Sequence, residues 1–248
     1  MTGLKDYLFR KMAEGTIHMT LLDPDPVKMT PEHAAEIAKN LKEAGTDAFM
    51  LGGSTGVTSE NLGATAKAVR EATGLPTIYF PSDPRAISPE VDGMFFMSIL
   101  NSRDPKFISH GHAQVAPYVA KMHIESIPMA YIIIKPGMKV AEVTNTDCIP
   151  RDDIGKAVGY ALAAQYLGHQ LIYLEAGSGA DMPVPPEMIR AVKEAVNVPL
   201  IIGGGIRTPE AARAAREAGA DAIVTGTFVE QCSDEDLLTS VVHAAKGI

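Results

Sequence analysis

The sequence is short of most features that would mark a specialised class. It has 2 cysteines, Cys148 and Cys232, without CxxC spacing, so free thiols in a reducing compartment are expected rather than a disulfide. It lacks an excess of positive charge: 22 basic residues against 30 acidic ones leave a formal charge of -8. That is the wrong sign for a chain that must neutralise nucleic-acid phosphates. No apolar run approaches the ~20 residues that span a bilayer. Met1 to Gly15 carries charges where a signal peptide needs a hydrophobic segment. Linkers and low-complexity tracts are missing too. These absences lead to the expectation of a soluble, cytoplasmic protein, with one domain over residues 1–248 and, at 46% hydrophobic, enough apolar residues for a large core.

What is present is an alternation. Lys5 to Glu14 reads as an opening helix and Thr16 to Leu22 as a first strand. Thr30 is placed to cap a helix with Pro31 at its first position, and Gly45 to end it. Strands follow at Ala48–Leu51, Thr77–Phe80, Gly93–Met97, Pro128–Ile134, Leu171–Leu174, Pro199–Ile202 and Ala222–Thr225. Helices are expected over Ser59–Ala72, within Pro105–His123, and over Asp152–Leu167, Pro186–Val196, Thr208–Ala218 and Asp234–Ala245. Strands that are apolar throughout and alternate with helices indicate an α/β fold with a parallel sheet closed into a (β/α)8 TIM barrel. An internal echo supports repeated units: Glu43-Ala44-Gly45-Thr46-Asp47-Ala48 matches Glu217-Ala218-Gly219-Ala220-Asp221-Ala222. Between the third and fourth strands, residues 81–92 contain three prolines. They leave little room for a crossover helix, so the third helix is expected to be missing or irregular and the wall thin.

In such a barrel the site lies at the C-terminal strand ends. There the sequence places Asp23, Ser54, Ser82, Asn101, Lys135, Glu175, Gly203 to Gly205, and Gly226-Thr227. Three of these ends are glycine-rich: Ala176-Gly177-Ser178-Gly179, Gly203-Gly204-Gly205 and Gly226-Thr227. Glycines let backbone N–H groups crowd an anion without Cβ clashes, and barrels commonly hold phosphate on the loops after strands seven and eight. The simpler account is that they only make tight turns. Glu175 closes an apolar strand beside these loops; burial would raise its pKa and suit it to take a proton from a hydroxyl, and the simpler alternative is a fixed acceptor that positions the ligand. Asp23 and Asp25 flank Pro24 and are suited either to Mg²⁺ shared with substrate phosphates or to turn and capping duty. Ser54 is a candidate second ligand for that ion, or a cap.

Other features have weaker claims. Lys135, ending a strand, is a candidate Schiff-base amine, although a surface lysine before Pro136 is commoner. His110 and His112 have no third ligand spaced to complete a metal site. Met94-Phe95-Phe96-Met97 reads as core, and its methionines also suit a long lipid chain.

Taken together, Leu22-Asp23-Pro24-Asp25, Gly45-Thr46-Asp47-Ala48 with Gly52-Gly53-Ser54, Pro81-Ser82-Asp83-Pro84, Leu100-Asn101-Ser102, Tyr173-Leu174-Glu175-Ala176-Gly177-Ser178-Gly179 and Gly203-Gly204-Gly205-Ile206 resemble the geranylgeranylglyceryl and heptaprenylglyceryl phosphate synthase family. The resemblance covers nearly the whole chain. It implies a modified (β/α)8 barrel without a regular third helix, and Mg²⁺-dependent transfer of a prenyl group from its diphosphate to the sn-3 hydroxyl of sn-glycerol 1-phosphate. This is the first ether bond of archaeal-type membrane lipids. Carried over by motif, Asp23 and Ser54 are metal ligands and Glu175 is the base. Tyr173, Leu174, Glu175, Ala176, Gly177, Ser178, Gly179, Gly204, Gly205, Gly226 and Thr227 hold glycerol phosphate. A homo-oligomer, dimer or hexamer, is also implied. Leu21 stands where some members have Lys, and Lys135 where some have Asn. The rival expectations are another prenyl length, such as heptaprenyl, and a phosphate-binding barrel aldolase or isomerase using Lys135 or Glu175.

Overall fold

Side chains along each strand alternate between two apolar environments, and that alternation shapes the molecule. The computed structural model describes residues 3–25, 29–53, 56–81, 86–232 and 234–248. Its strands are β1 (Ile17–Leu22), β2 (Ala48–Leu51), β3 (Thr77–Tyr79), β4 (Gly93–Ile99), β5 (Ser126–Ile133), β6 (Leu171–Glu175), β7 (Leu200–Gly203) and β8 (Ala222–Thr225). They pair in sequence order, all parallel, and β8 returns to β1 to close the barrel. One residue of each pair points inward: Met19, Met50, Phe95, Met129, Tyr131, Tyr173, Ile201 and Val224 fill the interior. Their neighbours Ile132, Leu174, Ile202 and Ile223 pack outward under helices. Both faces are buried, which is why the strands read as unbroken apolar runs.

The helices are α1 (Leu4–Glu14), α2 (Pro31–Glu43), α3 (Ser59–Thr73), α4 (Gly111–Met122), α5 (Met138–Val143), α6 (Ile154–Tyr166), α7 (Pro186–Ala195), α8 (Pro209–Glu217), α9 (Thr227–Gln231) and α10 (Glu235–Lys246). Thr30 caps α2, its side chain accepting from the His33 N–H, with Pro31 at the first position as expected. Asp234 does the same for α10. Between β3 and β4 the described residues contain no helix, so the irregular third crossover is seen; Ser82 to Arg85 lie outside them. Two short helices, α5 and α9, were not anticipated, being only 6 and 5 residues long and too short to show a helical period. The helical region within Pro105–His123 is a π-helical turn, Lys106–His110, running into α4. β4 and β5 extend further than expected because Met94 to Ile99 stay in continuous register with Ser126 to Tyr131.

The internal echo has a physical basis. Asp47, just ahead of β2, accepts the His18 N–H of β1 at 3.0 Å and the Lys246 ammonium at 2.8 Å. Asp221, just ahead of β8, accepts the Leu200 N–H of β7 at 2.7 Å and the Lys193 ammonium at 2.6 Å. Asp92 repeats the device for Thr77 of β3, accepting its N–H at 2.8 Å. In each case a carboxylate satisfies a strand-start N–H at the bottom of the barrel.

His18 shows what this end of the molecule demands of pH. Its side chain is fully buried between Thr46 and Thr225, with ring nitrogens 2.8 and 3.0 Å from their hydroxyls. Burial, and then the Lys246 charge, drive the imidazole down to about 3. The unfolded chain takes up this proton near pH 6.5 and the folded chain does not, so stability is complete above that pH and falls as the medium is acidified toward 3. At pH 5 the loss from this group is about 2 kcal/mol. Denaturant titrations at pH 7 and pH 5 should show that loss in the parent and much less of it in His18→Asn; equal losses would clear His18 of the effect.

Candidate active site

Period-two alternation in β6 places Tyr173 and Glu175 on the inner face and Leu174 in the outer core. Tyr131 of β5 is the register partner of Tyr173, and the two rings lie 4.9 Å apart between centroids, with Phe80 5.6 Å from Tyr131. Gly203 makes this possible: a Cβ at that position would fall 1.9 Å from the Tyr173 hydroxyl oxygen. Glu175 is 6% exposed. Its Oε1 accepts the Gly177 N–H at 2.6 Å. Burial raises its pKa, opposed by the Gly177 N–H and by the phenols of Tyr173 and Tyr131. The same burial, together with the Glu175 charge, raises both tyrosines well above their ordinary value.

Beyond Glu175 the three glycine loops converge. Gly177, Gly179, Gly204 and Gly205 all have positive φ, 106°, 80°, 79° and 72°, which only glycine adopts freely. Ser178, Gly179, Gly204, Gly205, Gly226 and Thr227 line a small cup, together with Arg207. The Ser178 and Thr227 hydroxyls hydrogen-bond across it. Ala176 and Leu174 have buried side chains facing the outer core and line neither the cup nor the larger cavity. On its other side Glu175 faces a cavity of about 320 Å³ that runs past Phe80, Met94, Phe96, Phe107 and Val115. Pro81 and Ile87, described residues of the irregular third crossover, are in its wall. Tyr173, Glu175, Ser178, Gly226 and Thr227 line both spaces. Glu175 therefore stands where an anion cup meets an apolar groove.

Asp23 lies at the mouth of the larger cavity, with Gly53 and Glu230. A Cβ on Gly53 would sit 1.8 Å from Asp23 Oδ1, so glycine is what leaves the carboxylate its place. Asp23 with Glu230 beside it at this cavity fits the way Mg²⁺ is held, by one or two carboxylates completed by phosphates and water. Among the described residues no three His, Cys, Asp or Glu side chains converge on an ion. Ser54 lies outside the described residues, as does Ser82.

Two rim residues named from the sequence are placed elsewhere. Asn101 is 2% exposed and ties loops together: its amide donates to the Ile133 and Asp147 carbonyls at 2.9 and 3.1 Å and its Oδ1 accepts the Ile133 N–H. Lys135 is exposed and lines neither cavity; its amine is not the desolvated kind that forms Schiff bases readily. His110 is exposed, while His112 packs on Phe96 and bonds the Met97 carbonyl at 2.6 Å. Tyr131, Phe80 and Arg207 were missed. Tyr131 was detectable in principle, since it alternates in phase with the inward Met129 and Ile133.

Fold and site together define a (β/α)8 barrel with a glycine-lined cup, a buried carboxylate and an apolar groove at the C-terminal strand ends. A sequence model of the PcrB family matches residues 10–245. Over 92% of this chain and 90% of its own length, a geranylgeranylglyceryl phosphate synthase of Thermococcus kodakarensis is 52% identical. The crystal structure of (S)-3-O-geranylgeranylglyceryl phosphate synthase from Thermoplasma acidophilum in complex with substrate sn-glycerol-1-phosphate superposes with a TM-score of 0.95 at 42% identity, covering 100% of both chains. A thiamine phosphate pyrophosphorylase from Pyrococcus furiosus, at 16% identity and a TM-score of 0.59, shares the fold alone. The chain belongs to the PcrB family. None of its described helices is long and apolar enough to cross a membrane.

Proposed function

We propose that this chain is a prenyltransferase that joins a geranylgeranyl group, from geranylgeranyl diphosphate, to the sn-3 hydroxyl of sn-glycerol 1-phosphate, releasing diphosphate. The observation that carries the reading is the position of Glu175 on the wall shared by the glycine cup and the apolar cavity. The cup suits the acceptor's phosphate and the groove suits the donor's tail. An acceptor hydroxyl projecting from the cup then meets the donor's first carbon beside Glu175. As the carbon–oxygen bond to diphosphate breaks and the ether forms, Glu175 takes the hydroxyl proton. Its raised pKa suits it to that task. Tyr173 and Tyr131 orient its carboxylate, and the rings of Phe80, Tyr131 and Tyr173 wall the reacting carbon from water. Mg²⁺, held by Asp23 and Ser54, would supply charge neutralisation for the leaving diphosphate.

The relatives' names support geranylgeranyl as the group transferred, and a longer chain such as heptaprenyl is the alternative within the same chemistry. A cytoplasmic homo-oligomer, dimer or hexamer, belongs to the same proposal; Tyr166 and Leu167, 80% and 72% exposed at the end of α6, are apolar surface for such contacts. The test is incubation of the protein with sn-glycerol 1-phosphate, Mg²⁺ and prenyl diphosphates of graded length. Ether product is expected, greatest with geranylgeranyl diphosphate and lost on chelation by EDTA. No product with any donor would end the proposal, and a maximum at another length would reassign the donor.

A further inference from the structure

The cup is built to surround an anion, yet its glycines bring no net charge. Backbone N–H groups satisfy oxygen lone pairs, but a phosphate monoester carries about 1.5 to 2 negative charges at neutral pH, and the chain as a whole is at -8. Among the described residues lining the cup, the charged side chains are Glu175 and Arg207. Arg207 follows the Gly203-Gly204-Gly205 turn by two residues and is half-buried. Its Nη2 donates to the Gly179 carbonyl at 2.8 Å, so the guanidinium bridges the loop after β6 and the loop after β7. Among the described residues that bond engages one of the five N–H donors that a guanidinium offers. It takes part in no ion pair among the described residues.

We propose that Arg207 is the specificity-determining cation of the acceptor cup: it braces the Gly177–Gly179 loop with one donor and presents its charge to the phosphate, making the cup select a phosphate ester over an uncharged polyol. This rests on the cup's being the phosphate end of the acceptor site. Glutamine at this position keeps an N–H donor for Gly179 but loses the charge, whereas lysine keeps the charge and loses the planar fork. In Arg207→Gln, the KM for sn-glycerol 1-phosphate should rise about tenfold, equivalent to about 1.4 kcal/mol, with kcat at saturation changed by less than about twofold. Arg207→Lys should recover most of the affinity.

Calorimetric binding of inorganic phosphate to the full chain gives a second readout, independent of any prenyl transfer. Its Kd should rise by a similar factor in Arg207→Gln and recover in Arg207→Lys, with thermal melting confirming that each variant is folded. Unchanged phosphate affinity in a folded Arg207→Gln would overturn the proposal. Equal phosphate affinity in the folded glutamine and lysine variants would do so too, because the charge that distinguishes them would then have no part in binding. If the chain made no ether at all, the phosphate measurement would still decide Arg207, so the two failures are separable.

Discussion

Glu175→Gln should lower kcat by roughly 10²- to 10⁴-fold, the range removed with a positioned general base, while leaving acceptor binding close to that of the parent. Glutamine preserves the shape and can still accept the Gly177 N–H, which Glu175 holds at 2.6 Å, so the loop should stay in place. What is lost is the capacity to take a proton. The parent's own pH profile should agree. Burial raises the Glu175 pKa, so activity should fall on acidification with a midpoint above the ordinary carboxylate range, as the group becomes protonated and unable to act as base. That acidic limb should vanish from the residual activity of the glutamine variant. The raised pKa carries a further sign: a carboxyl whose folded pKa exceeds its unfolded one loses stability as pH rises through the folded value. Glu175→Gln should therefore melt no lower than the parent at neutral pH, which separates lost chemistry from lost fold. Near-parental kcat in a folded variant would remove Glu175 as the base.

Gly204→Ala should nearly abolish acceptor use. Gly204 has φ 79°, a left-handed conformation that costs an L-residue roughly 1–2 kcal/mol. Its new Cβ would also lie 2.3 Å from Glu175 Oε1, 2.6 Å from the Gly177 nitrogen and 2.9 Å from the Ala176 nitrogen. Those atoms cannot all stay. Relief requires the β6 loop to move away from β7, breaking the hydrogen bond that fixes the carboxylate and opening the cup. A displacement near 1 Å at a reacting group costs on the order of 100-fold, so kcat/KM should fall by at least that much. Gly159→Ala on α6 is the control: it is an interior helix position with nothing within 4 Å of the added carbon, so kcat/KM should be unchanged. Parental kinetics in Gly204→Ala would mean that the loops around Glu175 do not form the acceptor site.

Much of this is legible in the amino-acid sequence. Strand and helix order followed from apolar runs separated by caps such as Thr30-Pro31 and stops such as Gly45, because those residue types satisfy or end helical hydrogen bonding locally. Glu175 and the glycine loops stood out because a charged residue and flexible turns closing apolar strands are costly unless a ligand or a tight turn requires them. Asn101 and Lys135 were placed on the rim by the same rule, and there it misled. A strand-end position does not say whether a side chain turns into the barrel mouth, into a loop or out to water. Asn101 spends its amide on the carbonyls of Ile133 and Asp147, residues 32 and 46 positions away along the chain. No local pattern announces that.

The sequence by itself determined the parallel barrel, the irregular wall between β3 and β4, and the carboxylate beside three glycine turns, since each follows from short-range chemistry of neighbouring residues. Only the tertiary structure decided that Tyr131 and Phe80 join Tyr173 around Glu175, that Gly203 is glycine to make room for a phenol, and that Arg207 reaches back to Gly179. Those are contacts between strands and loops far apart in the chain. Their geometry is set by barrel register and closure, quantities to which every strand contributes and which no single stretch encodes.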